Sequence, residues 1–259
     1  MTPNARFKAE LAAGRPLLGT FVKTPHATVV EILGAMGLDF LVLDGEHSPF
    51  DRAATDACLL AARAAGVATL VRVPDHSPST ILGVLDCGAA GVVVPHVTTR
   101  EQALALADAV RYVPGGRGIA GTTRAGQYGL RPLAEHRRAA IAEVSLICQI
   151  EDREGVENHA AIAAVDGVDG LFVGRADLSL SYGRDDFSSP EIDAIAAEIL
   201  AAKGAATGLY CAPGEDLARF AAHGASFVVS GSDHSFLIGG ARALAAGFAP
   251  LRNSAGEPQ

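Results

Sequence analysis

The sequence has no tryptophan and only 5% aromatic residues, so any core must be built mainly from Ala, Val, Leu and Ile, within an apolar fraction of 49%. It has no C-x-x-C pair. Cys58, Cys87, Cys148 and Cys211 stand far apart, each in apolar surroundings, which argues against a zinc site or a disulfide framework and for buried thiols in a reducing compartment. No uncharged apolar stretch reaches the roughly 18 residues that a membrane-spanning helix needs. Residues 1–20 hold no apolar run followed by a cleavage site. Basic blocks are missing too. The net charge is −8, and a nucleic-acid footprint requires clustered Lys and Arg. These absences predict a soluble, cytoplasmic protein that acts on small molecules, with neither nucleic acid nor membrane as partner. Any anionic ligand must be attracted by local charge.

What is present is alternation. Short β-branched or apolar runs at 17–23, 39–44, 67–73, 90–95, 145–151, 169–174, 207–212 and 227–230 read as strands. Segments of helical period at 27–36, 51–65, 77–87, 99–110, 133–143, 153–164, 190–203, 215–222 and 235–246 read as helices. Repeated βα units predict a parallel sheet, and eight strands close a (β/α)8 TIM barrel, a fold that typically takes about 250 residues. The 259 residues therefore form a single TIM-barrel domain, with about 247–259 as a C-terminal tail whose last six or seven residues are expected to be disordered. Between the fourth and fifth strands lies one helix more than strand pairing needs. It is preceded by the Gly-rich segment 113–132 with Arg117, Arg124 and Arg131, which is longer than an ordinary connection and is expected to be a functional loop. Its PGGRG turn offers backbone N–H groups to an anion, a weak signal because such turns are frequent.

In such a barrel the chemistry sits at the C-terminal strand ends. Those ends carry Lys23, the run Asp44-Gly45-Glu46-His47, Arg72, His96, the pair Gln149 and Glu151, and Gly174-Arg175-Ala176-Asp177. Glu151 and Asp177 are about one βα unit apart, so they stand on neighbouring strands facing one cavity. Two carboxylates without a fixed cation repel, and a hard divalent ion such as Mg²⁺ or Mn²⁺ holds both ionised. The alternative is that either acid caps the following helix or pairs with an arginine of the long loop. His47 reads as a general base or as a satisfied turn residue. Arg72 reads as a cation aimed into the mouth or as a structural partner of Asp44 or Glu46. Lys23 reads as a Schiff-base amine or as an exposed loop lysine. His26 and His96 read as polar lining or as substrate contacts.

Five segments in order, GLDFLVLDGEHSP (37–49), LVRVP (70–74), GAAGVVVPHV (88–97), QIED (149–152) and VGRADLS (173–179), resemble the HpcH/HpaI aldolases, a family of metal-dependent pyruvate aldolases. The resemblance runs from about residue 17 to 246. It implies a barrel whose last helix is exchanged with a neighbouring subunit in a homo-hexamer, a trimer of dimers. It also implies a divalent metal (Mg²⁺, Mn²⁺ or Co²⁺) on Glu151 and Asp177, chelated by a keto acid. By the same likeness His47 is the catalytic base and Arg72 holds the keto or enolate oxygen. Gln149 lines the site, and the backbone at Gly174, Ala176 and Asp177 cradles the keto-acid carboxylate. Asp44 and Asp86 match acids that support the histidine or the subunit contact.

The expected reaction is cleavage or formation of 4-hydroxy-2-oxo acids, giving pyruvate or hydroxypyruvate and an aldehyde. The alternatives are an acyl-CoA lyase of the citrate-lyase β type, a Schiff-base aldolase using Lys23, and a non-catalytic binding protein. Three departures from the family pattern concern the aldehyde side: Arg175 replaces a common proline, Phe21 a common tryptophan, and Lys23 and Thr24 smaller or less polar residues. Arg175 is expected to add positive charge at the rim. With the 113–132 loop, it points to polar or anionic aldehydes.

Overall fold

A computed structural model describes residues 1–212, 214–215 and 217–254. Eight parallel strands pair in chain order and close on themselves. They are β1 (Leu17–Val22), β2 (Phe40–Asp44), β3 (Ala68–Arg72), β4 (Gly91–Val94), β5 (Ser145–Ile150), β6 (Gly170–Val173), β7 (Ala206–Cys211) and β8 (Phe227–Ser232). Around them lie α1 (Pro3–Ala12), α2 (Ala27–Gly34), α3 (Arg52–Ala65), α4 (Pro78–Asp86), α5 (Arg100–Val110), α6 (Leu133–Glu143), α7 (Arg153–Ala163), α8 (Arg175–Ser181), α9 (Pro190–Leu200), α10 (Leu217–Ala222) and α11 (Asp233–Ser254). This is the TIM barrel expected from the alternation.

Strand periodicity divides the core in two, because alternate side chains point to opposite faces. Leu41 and Leu43 of β2 and Val71 of β3 face the helix layer, while Phe40, Val42, Ala68 and Leu70 fill the barrel interior. The helices start where the sequence supplies caps. Asp51 accepts from Ala54 N at 2.7 Å, and Thr99 forms a capping box with Gln102. Helix α3 stops at Gly66, whose φ of 73° suits a residue without a Cβ.

Three features were not expected. Helix α1, opened by the Thr2 cap and Pro3, pushes Phe7 and Leu11 into the barrel interior, with the Phe7 and Phe40 rings 5.1 Å apart between centroids. It plugs the N-terminal end of the barrel. Helix α8 begins directly after β6. Helix α11 continues to Ser254 rather than stopping near 246, and exposes Leu237 (70%) and Leu244 (78%). Of the tail expected to be disordered, residues 255–259 lie outside the described residues.

The 113–132 segment is not at the catalytic mouth of its own chain. It follows α5 and precedes α6 and β5, so it lies at the N-terminal ends of the strands. Arg117 binds Asp86 at 2.6 Å, Arg124 binds Asp56 at 2.7 Å and Arg131 binds Glu143 at 3.2 Å, tying the segment to α4, α3 and α6. Among the described residues no helix is long and apolar enough to cross a membrane.

Candidate active site

On β2, β3 and β5 the last interior-facing position is polar and buried: Asp44, Arg72 and Gln149. Asp44 and Arg72 are register partners on β2 and β3. Asp44 is fully buried, and its Oδ1 accepts from Arg72 Nε (3.0 Å), Arg72 Nη2 (2.8 Å) and the His47 backbone N–H (3.2 Å). Its Oδ2 accepts from Lys23 Nζ at 2.6 Å. Burial alone would push the Asp44 carboxyl up, but the Arg72 and Lys23 cations and the His47 N–H hold it below its ordinary range.

Arg72 also reaches Glu46 through Nη1 at 3.2 Å and lies 4.6 Å over the Phe21 ring. It is thus both a mouth residue and an ion-pair partner, so the two sequence readings of it coexist. The His47 imidazole is half-exposed at the rim, with Nε2 3.7 Å from Glu46 Oε2. Glu46, read from the sequence only as an alternative ion-pair partner of Arg72, bridges Arg72 and His47. The signal for it was its place inside the same tetrapeptide.

The two proposed metal ligands follow β5 and β6. Glu151 is buried; its Oε1 accepts from His96 N at 2.9 Å and its Oε2 from Gln149 Nε2. Burial pushes its carboxyl above the ordinary range, the Gln149 and His96 donors work against that, and the negative charge of Asp177 adds to it. The Asp177 charge is thus felt at Glu151. No lysine or arginine pairs with either among the described residues, and the Asp177 side chain has no hydrogen-bond partner there. Neither acid caps a helix or binds the long loop: Asp177 stands in the first turn of α8, after the Gly174 cap. Gly174 leaves room for the Glu151 side chain: a Cβ there would strike the Glu151 carboxylate, which would have to shift, and would come 3.1 Å from Gln149 Nε2.

A buried carboxylate with no lysine or arginine partner among the described residues, under the influence of a second carboxylate, fits a divalent ion. No group of three or more His, Cys, Asp or Glu that could hold a metal occurs among the described residues, so an ion here would draw its remaining ligands from substrate and water, the open arrangement that hard divalent ions accept.

The other candidates divide. His96, held at φ 52°, places Nδ1 2.9 Å from Asp152 and 3.5 Å from Glu151, so it belongs to the mouth. Asp152, Glu151 and Glu46 raise its pKa against the opposing effect of burial, the largest single influence. His26 caps α2, accepting from Thr28 N at 3.3 Å. Asp86, at the end of α4, is bound to Arg117 at the opposite end of the barrel, so within one chain it does not support His47. Arg175 adds no charge to the rim. It is 2% exposed, binds Glu215 (2.6 Å), Asp193 (3.2 Å) and the Tyr210 carbonyl (3.1 Å), and stacks on Phe187 and Phe220. A missed residue, Asp233, accepts from the Lys23 and Thr24 backbone N–H groups at 2.7 and 3.0 Å and so fixes the first loop.

The HpcH/HpaI aldolase/citrate lyase family model matches residues 17–239, nearly the whole barrel. The chain belongs to the HpcH/HpaI aldolase/citrate lyase family. Within this family it is 39% identical to the hydroxypyruvate/pyruvate aldolase of Deinococcus radiodurans, over 98% of this chain and 93% of that protein. It is 37% identical to the 5-keto-4-deoxy-D-glucarate aldolase of Escherichia fergusonii, over 95% of this chain and 97% of that protein. The crystal structure of a family member from Burkholderia cenocepacia J2315 superposes with a TM-score of 0.87 at 30% identity, covering 96% of this chain and 99% of that one. Family membership and these relatives make the protein a carbon–carbon lyase of the aldolase kind.

Proposed function

We propose that the protein is a divalent-metal-dependent aldolase that cleaves and forms 4-hydroxy-2-oxo acids, with pyruvate or hydroxypyruvate as the keto-acid product and an aldehyde as the other. The observation that carries this reading is the buried Glu151, which feels the charge of Asp177, a pair of carboxylates with no arginine or lysine partner among the described residues. Glu151 and Asp177 would hold Mg²⁺, Mn²⁺ or Co²⁺, which when bound supplies Lewis-acid polarisation of the substrate's keto group.

The chain's own residues supply the rest. The keto-acid carboxylate rests on the backbone at Gly174 and Ala176, beside Gln149. His47 accepts the C4 hydroxyl proton, the C3–C4 bond breaks, and its electron pair moves into the keto acid as an enolate. Arg72, fixed by Asp44 and Glu46, stands ready with positive charge where the oxyanion develops, an effect worth roughly 10²–10³ in rate. Return of a proton to C3 gives the product methyl or hydroxymethyl group.

Lys23 works against a Schiff-base mechanism, because an amine must be neutral to attack a carbonyl and this ammonium is held 2.6 Å from an ionised Asp44. Its role is to position Asp44. The exposed apolar side chains of α11 suit assembly into the homo-hexamer implied by the family likeness, and the four buried free thiols suit a reducing cytoplasm.

The test is dialysis against a chelator, then assay of pyruvate release from a 4-hydroxy-2-oxo acid. Activity should vanish and return with Mg²⁺ or Mn²⁺. Full activity after chelation, or a borohydride-trapped adduct on Lys23, would replace this mechanism with the Schiff-base one.

A further inference from the structure

The arginine-rich segment lies at the end of the barrel away from its own chain's mouth. Residues 111–138 contain six arginines and one acid, Glu135, in a chain of net charge −8. Beneath them lies a cavity of about 140 Å³ between α1, α3, α4 and α6. Arg63, Arg117, Arg124 and Arg131 line it, against a single lining acid, Glu143.

Arg117 and Arg124 each spend an Nη2 group on an acid, Asp86 and Asp56 respectively. Their Nε–H groups are buried and have no acceptor among the described residues. Thr69 Oγ1 and His136 Nδ1 are in the same state, and both side chains line the same cavity. Of the eight unpaired buried side-chain polar atoms among the described residues, four therefore belong to the walls of this one space. Guanidinium N–H groups only donate, and a hydroxyl can donate as well. With the Tyr112 hydroxyl, 2.9 Å from His136 Nε2, as donor, His136 Nδ1–H becomes a further donor. Burial, Arg117 and Arg131 depress the His136 pKa, consistent with positive potential at this spot.

We propose that this cavity, at the end of the barrel opposite the catalytic mouth, is a second binding site for a small oxyanion of the carboxylate or phosphate type. An oxyanion brings several acceptor oxygens to buried donors that lack them, and its charge meets an excess of arginine. Once bound, it would join the 113–132 segment (Arg117, Arg124), the strand (Thr69) and α6 (His136) into one network. The sequence signal was the arginine content of the segment. Within one chain, the position of the segment sets that signal apart from the mouth.

The experiment uses the full-length protein with divalent ions removed by a chelator, so that the mouth is silent, in phosphate-free buffer of fixed ionic strength. Inorganic phosphate and acetate are titrated separately by calorimetry. Saturable binding of one anion per chain is expected for at least one of them, and the tighter of the two names the class. Arg124→Gln should weaken it by about tenfold or more, loss of a hydrogen bond to a charged group, and the near-isosteric Thr69→Val, which keeps the fold, by about two- to tenfold. Glu151→Gln, at the mouth, should leave it unchanged. Absence of saturable heat with both anions, or wild-type affinity in Thr69→Val, would overturn the proposal. Because no metal is present, its failure would leave the aldolase mechanism untouched, and the failure of that mechanism would leave this site standing.

Discussion

Asp44 is the residue on which the mouth depends, since one buried carboxylate fixes Lys23, Arg72 and the start of the His47 turn. Because its pKa lies below the ordinary 3.8, the unfolded chain binds this proton more tightly than the folded one. Its stabilising effect is therefore present above about pH 3.8 and is lost as the pH falls through the lower folded value. Asp44→Asn leaves two cations without their partner and should cost about 3–5 kcal/mol at neutral pH, read from urea midpoints. The gap from wild type should narrow on acidification. His47→Ala should lower turnover by about 10²–10⁴ while Mn²⁺ and pyruvate still bind, because the imidazole sits at the rim and holds neither. Unchanged turnover would remove it as the base. Arg175 shows where residue-level reading stops. Its position in VGRADLS was legible, but its direction was not, because the acids that bury it, Asp193 and Glu215, come from distant parts of the chain.

At the level of elements, the hydrophobic period carried most of the information. Strands were legible to within a residue or two because each is a short β-branched run bounded by polar turns. Helix α8 was not, since its seven residues span barely two turns and give no period to read. Helix α1 carried a signal, Thr2-Pro3 followed by Phe7 and Leu11 on one face, but the barrel pattern does not require it. Its importance lies in packing. Phe7→Ala should cost about 3–5 kcal/mol and lower the melting temperature, with little change in the KM for the keto acid, because it opens a cavity at the far end of the barrel. Gly174→Ala should do the reverse. The new methyl meets the Glu151 carboxylate, so Mn²⁺ affinity measured by titration should fall sharply while thermal stability changes little. Wild-type metal affinity in that variant would separate Gly174 from the cation site.

For the whole molecule, the barrel closes without α11, whose outward side chains Leu237 and Leu244 are 70% and 78% exposed. An apolar face of this kind suits the proposed assembly into a homo-hexamer. If that assembly forms, Leu237→Asp combined with Leu244→Asp should yield smaller species than wild type in sedimentation velocity without unfolding the barrel; a monomeric wild type, or no change in the variant, would contradict the proposed role of α11. Scale also explains why five short motifs, spread along the chain, were legible as one site. A parallel barrel brings every C-terminal strand end to one rim, so position along each βα unit already fixes which residues meet. The same rule places helix-to-strand segments such as 113–132 at the other end of their own barrel, away from that chain's mouth. The most direct measurement of the central claim is entry of solvent deuterium into the methyl group of pyruvate, which needs enolisation and no aldehyde. With chelated protein no exchange is expected; with Mg²⁺ or Mn²⁺ it should appear in wild type and fail in Glu151→Gln and Asp177→Asn. Equal exchange before and after chelation, or undiminished exchange in both variants, would contradict a cation held by these two carboxylates.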